Sequence, residues 1–504
     1  MLAAILILAA ALRVWGLGSK SFWVDEILAV ERSRSLRQAV AYCAVNHEPP
    51  LRYCLLHYLA RFNPPELFTR LPSFVFGLAT VALLWWLARM LFGARAGTVA
   101  AFLLAVSFWH IVQSQDARMY PVMMFFWTLS LIIFFHVLEQ PSQPLWWPAL
   151  AIVHAANFYL SYLTVFVLMA EALTFIGWLI VRKWREREAF ALRPYATGAL
   201  IFVGFFALCI SFWFNPIVSL IERYTGARAT GAEPLVRAVH AGRETVEIVG
   251  WPAEFDAKFL LGILDKLLIP GIAWRIVTLI GLSVGLSLCW RRNRPFVLVA
   301  VLAFFLPMVA ILFTEMRHFV APRYVFHLLL FAIIAFAVVL VTGAEAIVAY
   351  FHETMKKRIA VVFLAAIATV SLARYFPILM LHARCERQDW RTACRWIAEN
   401  AKPPDVILTG PWGTYGAVLY YGSPALTEHY TIANCLSADR TADEIERPTA
   451  DANVWYVAWG YMPDELKLVI EERLEKALAL SGLDGTIEIF QRKRPQTLTM
   501  KDER

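Results

Sequence analysis

Charge is scarce in this chain. Of its 504 residues only 17% are Asp, Glu, Lys or Arg, while 59% are hydrophobic; a soluble chain carries about a quarter charged residues. Metal-like cysteine spacing is also missing. The seven cysteines (Cys43, Cys54, Cys209, Cys289, Cys385, Cys394 and Cys435) form no CxxC pair, which removes zinc-ribbon and dithiol redox readings. Cys385 and Cys394 have two readings, a pair outside the cytoplasm or two unlinked thiols. A nucleotide loop is lacking too: "GPWGTYG" (410–416) has neither the glycine spacing nor the lysine of a phosphate cradle. No internal repeat and no low-complexity tract is visible.

What is present is apolar sequence in long blocks, at roughly 1–17, 68–90, 96–113, 119–138, 145–160, 162–181, 195–215, 268–290, 295–313, 324–342 and 359–380. A helix needs about 17–25 such residues to cross a bilayer, so the expectation is a polytopic α-helical membrane protein with about 11 transmembrane helices. The first block carries Arg13 but lacks a basic leader and a small-residue cleavage site, and is read as an uncleaved helix. A tight turn at Tyr159–Tyr162 must divide the fifth block from the sixth.

The net charge of +8 does not mark a nucleic-acid binder, because the basic residues crowd the short loops. Arg89 and Arg95; Arg182, Lys183, Arg185, Arg187 and Arg193; Arg291, Arg292 and Arg294; and Lys356, Lys357 and Arg358 mark four such loops. With the N-terminus inside, all four fall in the cytoplasm, as the positive-inside rule requires. Arg32, Arg34 and Arg37 fall on the other side, in a long loop whose charges count for less. The expected setting is the inner or plasma membrane, with the loops 18–67 and 216–267 and the tail extracytoplasmic. Leu51, Leu55, Leu56 and Leu59 give the first loop an amphipathic helix lying along the membrane surface.

Two domains are expected: 1–381 in the membrane and 382–504 as a small extracytoplasmic α/β domain. In the latter, "DWRTACRWIAENA" reads as a helix stopped by "KPPD", "VILTG" and "VWYVAWG" as buried strands, Pro463–Leu480 as a helix and "TIEIFQRK" as the last strand.

Four clusters carry candidate chemistry. Asp25 and Glu26 follow the first span, where Asp25 either caps a helix starting at Glu26 or serves as a general base with a second carboxylate beside it. His47 and Glu48 precede Pro49 and Pro50, which start a helix and present both residues at its N-terminus, a place that favours anions. Asp116, Arg118 and Tyr120 occupy a short loop, where an Asp–Arg pair either staples the chain or leaves a guanidinium for a phosphate. His318, Arg323 and Tyr324 lie before a late span, where Arg323 either snorkels or binds phosphate. In the derived topology all four fall on one membrane face. Acids for deprotonation and bases for an anion there suit a site that moves a group from a membrane-held phosphate to an external acceptor.

"WVDE", "HEPPLRYCLLH", "SQDARMY" and "APRYVFHLLL", in this order and spacing, resemble the bacterial protein-mannosyltransferase and aminoarabinose-transferase-like superfamily of glycosyltransferases, and "DWRTACRWIAENAKPPDVILTGP" is similar to the start of that family's extracytoplasmic domain. The resemblance runs in patches from residue 1 to about 411. It implies a GT-C fold and an inverting single displacement from a polyprenyl-phosphate-linked sugar donor to an extracytoplasmic lipid, glycan or protein. It implies Asp25 as the base, Glu26 in support, His47, Glu48, Arg118, Tyr120, Arg323 and Tyr324 on the donor phosphate, and Asp116 and His318 as supporting groups. The family's lysine is absent beside His47; no cofactor is assigned, and a divalent cation stays an open alternative. Transporter, flippase or scaffold readings fit less well, since the charges sit at one boundary and no repeat is seen. The tail and the 216–267 loop are expected to act on the acceptor side.

Overall fold

The computed structural model describes residues 1–186, 190–217, 257–267, 271–312, 321–349, scattered positions from 373 to 382, and 384–493 apart from 411–412, 436, 450–451 and 461. The chain divides into two compact units. The first takes Met1–Ser19, Ser33–Thr225 and Pro252–Ala383, and the second includes Lys20–Arg32 and Arg384–Arg504.

The first unit is helical. In chain order its helices begin with α1 (Leu2–Val14); α2 (Val24–Arg32) belongs to the second unit. They continue with α3 (Leu36–Asn46), α4 (Leu51–Leu59), α5 (Pro65–Phe92), α6 (Ala94–Val106), α7 (Phe108–Ser114), α8 (Tyr120–Glu139), α9 (Trp146–Phe158), α10 (Thr164–Glu186) and α11 (Arg193–Ser211). After them come α12 (Ala257–Leu267), α13 (Ile272–Arg292), α14 (Arg294–Leu312), a 3-10 turn at Pro322–Val325 and α15 (Leu328–Ala349).

Ten of the eleven apolar blocks thus fold as helices, and the eleventh, 359–380, lies largely outside the described residues. Among the described residues, seven helices (α5, α8, α10, α11, α13, α14 and α15) are long and apolar enough to cross a bilayer. The pair α6–α7, bent by 61° at Ser107, makes an eighth when taken as one broken span. Helices α1 and α9 have 13 residues each, about 20 Å at 1.5 Å per residue, against a hydrocarbon core of about 30 Å. The chain is a multi-pass membrane protein.

Small residues let the helices approach. A Cβ at Gly97 of α6 would stand 2.6 Å from the Trp85 carbonyl oxygen of α5, and one at Gly285 of α13 would stand 2.6 Å from the Ala335 carbonyl oxygen of α15. Lipid offers no hydrophobic gain for helix pairing, so such close contact supplies the dispersion energy that holds the bundle. The break at Ser107 is sealed from α1. Arg13, fully buried, donates to the carbonyls of Leu104 and Ala105 at the end of α6 (3.0 and 2.9 Å), to Ala9 of its own helix, and lies 2.8 Å from His110 Nδ1. Gln115 Nε2 returns the favour, donating to the Arg13 and Trp15 carbonyls at the end of α1 (3.1 and 2.8 Å). Helix ends buried in this way need such partners.

The second unit carries a five-stranded sheet in the order β2-β1-β3-β5-β4. Its tail elements are α16 (Trp390–Asn400), β1 (Val406–Thr409), α17 (Thr414–Gly422), β2 (Thr431–Asn434), α18 (Ala438–Glu446), β3 (Val454–Trp459), α19 (Asp464–Arg473), β4 (Leu474–Gly482) and β5 (Gly485–Arg492). β1 pairs parallel with β2 and β3, with Ile407 opposite Ile432 and Trp455; β3 and β5 pair antiparallel, with Val457 opposite Ile489. "VWYVAW" is buried at every position because β3 is central. The expected helix 463–480 ends at Arg473. "LEKALALSG" forms strand β4 instead, because a two-residue turn folds it back on β5, and that pairing overrides a helical propensity spread over only nine residues. No disulfide joins any of the seven cysteines, and burial pushes the Cys394 thiol up to about 12.

Candidate active site

In the first unit a small open cleft is lined by Arg52 of α4, Thr69, Pro72 and Ser73 of α5, and Arg118 and Met119 at the start of α8, with Leu160 among the apolar walls. Helix α8 begins here with no side-chain cap on its first turn. The residues that line the cleft thus include two arginines and the start of a 20-residue helix, whose end is positive. A helix start favours an anion, and planar guanidinium forks match phosphate oxygens.

Each arginine is steered by its neighbours. Arg52 pairs with Glu48 one turn earlier (3.4 Å), meets the Tyr53 hydroxyl at 2.5 Å, stands 4.4 Å from that ring's centre and reaches Met119 Sδ at 3.5 Å. Glu48 also accepts from the hydroxyls of Tyr42 (3.1 Å) and Tyr53. Arg118 is anchored by its backbone, its carbonyl accepting from Ser73 Oγ at 2.7 Å, and its guanidinium lies 5.9 Å from the centre of the Tyr120 ring.

The structure places the other expected residues as follows. His47 does not open α4; it closes α3 in the left-handed conformation (φ 55°), and the Pro50 position caps α4. Tyr120 is buried in the core, and its hydroxyl has no hydrogen-bond partner among the described residues. Asp116 is buried in the turn after α7, its amide donating to the Gln113 carbonyl at 3.4 Å. Arg323 and Tyr324 lie in the 3-10 turn before α15, with the guanidinium 6.0 Å from its neighbour's ring centre; neither lines the cleft. His318 falls outside the described residues, as does most of the loop 216–267. Among the described residues no group of three or more His, Cys, Asp or Glu is placed to hold a metal ion.

Asp25 and Glu26 belong to the second unit, in the first turn of α2. The helix starts one residue before Asp25, and the capping carboxylate is Glu26, fully buried, which accepts from the Trp23 amide at 3.2 Å. This is the backward half of a capping box. Asp25, partly exposed, stands in a row of buried residues from Ser21 to Ile27. Nearby, Glu386 accepts from the Ser21 amide and hydroxyl (3.0 and 3.1 Å); burial pushes its carboxyl up, and the Ser21 bonds pull it partly back.

The residue that sequence reasoning missed is Arg52. Its signal was the four-residue spacing from Glu48, which on a helix is also the mark of an ordinary surface ion pair.

The sequence profile of the dolichyl-phosphate-mannose-protein mannosyltransferase family matches residues 47–212, which span α4, α5, α8 and the cleft. No curated protein sequence matches the chain. Among solved structures the chain is similar to ArnT from Cupriavidus metallidurans: 12% identity and a TM-score of 0.56 for the apo state, 13% and 0.52 for the undecaprenyl-phosphate complex, with 97% of each chain covered in both cases. It is also similar to the Archaeoglobus fulgidus oligosaccharyltransferase AglB solved with an inhibitory peptide and a dolichol-phosphate. Here the identity is 12% and the TM-score 0.51, with 98% of this chain and 74% of that one covered.

Proposed function

We propose that this chain is a membrane glycosyltransferase of the GT-C type that transfers a sugar from a polyprenyl-phosphate-linked donor to an extracytoplasmic acceptor hydroxyl; the fold likeness and the family profile over residues 47–212 support this reading. The observation that carries the donor class is the cleft where Arg52, Arg118 and the start of α8 meet. That combination suits a phosphate held by a lipid at a membrane boundary. The solved relatives bound to undecaprenyl phosphate and to dolichol-phosphate support the same donor chemistry.

The reaction is read as a single inverting displacement. The bond from the anomeric carbon to the phosphate oxygen breaks, the acceptor oxygen bonds to that carbon from the opposite face, and the acceptor proton passes to Asp25. Polyprenyl phosphate leaves with the bonding electrons. Charge grows on the leaving phosphate, and each preorganised donor aimed at such charge is worth about 3–4 kcal/mol. Arg52 and Arg118 fill that role, with Glu48 holding Arg52 in place; Arg323 and Tyr324 are assigned to a second phosphate contact. A positioned base adds ~10²–10⁴-fold. Glu26 supports Asp25 by fixing the start of α2. The site is assigned to the extracytoplasmic face of the inner or plasma membrane, from the placement of the basic loops.

Purified full-length protein, given undecaprenyl-phosphate-linked sugars labelled in the sugar, should release undecaprenyl phosphate and consume the donor. Movement of intact donor between leaflets without consumption would overturn this reading in favour of a flippase.

A further inference from the structure

The segment Lys20–Arg32 folds with the tail, not with the helices that precede and follow it in sequence. Its attachment is polar and specific. The Ser21 amide donates to Glu386 Oε2, the Phe22 amide to the Tyr421 hydroxyl at 2.6 Å, and the Val24 amide to Gln388 Oε1 at 3.0 Å. The fourth amide of the run, on Trp23, is the one taken by Glu26. The Arg387 guanidinium covers the Trp23 ring at 3.7 Å and pairs with Asp484. Side chains of the tail thus satisfy three of four successive amides leading into α2. Helix α2 has nine residues, too few to persist without tertiary support.

Gln388 stands at the centre. It is 1% exposed, and its one Oε1 accepts both the Val24 amide and the Trp390 indole N–H (2.9 Å). Its Nε2 has no partner among the described residues. A buried amide donor left unsatisfied is unfavourable, so the side chain is held there by what its oxygen does. Gly413 of the tail packs closely against Val24. It adopts φ +82°, and a Cβ there would fall 2.1 Å from Val24 Cγ1.

We infer that the tail holds the start of α2 in its working position, and that Gln388 is a positioning residue for Asp25, acting through the Val24 amide. The inference rests on the reading of Asp25 as the base. It assigns the tail a part in the chemical step, beyond the acceptor side.

The test is the full-length enzyme in steady state, with donor concentration varied. Gln388→Ala and Gly413→Ala should lower kcat by about 10–100-fold, the scale of a ~1 Å misplacement of a catalytic group, with donor KM within about twofold of wild type. Gln388→Glu keeps the accepting oxygen and should restore kcat to within about threefold. Melting temperature, read alongside, identifies any variant that fails to fold; in that case the Glu variant and Gly413→Ala carry the comparison. Wild-type kcat in Gln388→Ala and Gly413→Ala, beside an inactive Asp25→Asn, would overturn the positioning role and leave the base intact. An active Asp25→Asn would instead remove the premise. Loss in Gln388→Ala with no rescue by Glu would mark Gln388 as merely structural and contradict the inference.

Discussion

At the scale of single residues, the strongest constraint is that two arginines share a cleft with a helix N-terminus while a carboxylate, Glu48, holds one of them. Glu48 accepts from Arg52, Tyr42 and Tyr53, an arrangement that fixes a guanidinium more firmly than a surface ion pair would. Removing either arginine should weaken stabilisation of the leaving phosphate. Arg118→Ala and Arg52→Ala are each expected to lower kcat/KM for the donor by roughly 10²–10³-fold, the cost of one preorganised donor. Arg118→Lys should recover little, since an ammonium lacks the planar fork. Unchanged kcat/KM in both alanine variants, measured by release of undecaprenyl phosphate, would remove the cleft from the mechanism. Arg118 was legible in the sequence because a charge between two spans is costly and calls for a reason. Arg52 was not, because its spacing from Glu48 has a bland helical explanation. Glu26 was legible as an acid but not as a cap: the residue it caps is Trp23, outside the Ser, Thr, Asp and Asn set that signals a helix start.

At the scale of elements, α1 and the broken span α6–α7 are tied together by exchanged side chains. Arg13 closes the carbonyl end of α6, and Gln115, at the end of α7, closes that of α1. Gln115 lies three residues before Arg118, so the tie lies on the short path from the break to the cleft. Arg13→Met should strip the Ala105 carbonyl of its guanidinium donor and leave the Leu104 carbonyl with the Ser107 amide alone; a buried group left unsatisfied costs about 1–3 kcal/mol. The expected result is a melting temperature lower by several degrees in detergent, with Arg13→Lys intermediate. Equal stability of Arg13→Met and wild type would show that the break is sealed some other way. Composition gave no hint of this, since a lone arginine in an apolar block looks the same whether it snorkels to water or fills a break. The run 474–482 was similarly opaque. "LEKALAL" suits a helix locally, and only its pairing with β5 makes it a strand. By contrast α16, β1, β3 and β5 were readable, because period and burial agree in each.

At the scale of the molecule, apolar block length located helices: ten blocks fold as helices, and among the described residues seven of these helices, or eight spans with the bent pair α6–α7, are long and apolar enough to cross a bilayer, while α1 and α9 fall short of its width. Block length carries no information on breaks, which depend on partners from elsewhere in the chain. Nor did it reveal that Lys20–Arg32 packs with a tail more than 350 residues away, since nothing in a short polar loop names its partner. The similarity to ArnT spans 97% of the chain at 12–13% identity, a level at which fold persists while side chains diverge. The proposed transfer turns on one proton and the residue that takes it. The most direct measurement is the transfer rate of full-length Asp25→Asn with saturating undecaprenyl-phosphate-linked donor, alongside donor affinity. The prediction is a loss of at least ~10²-fold in rate with donor binding unchanged; transfer at the wild-type rate would contradict it.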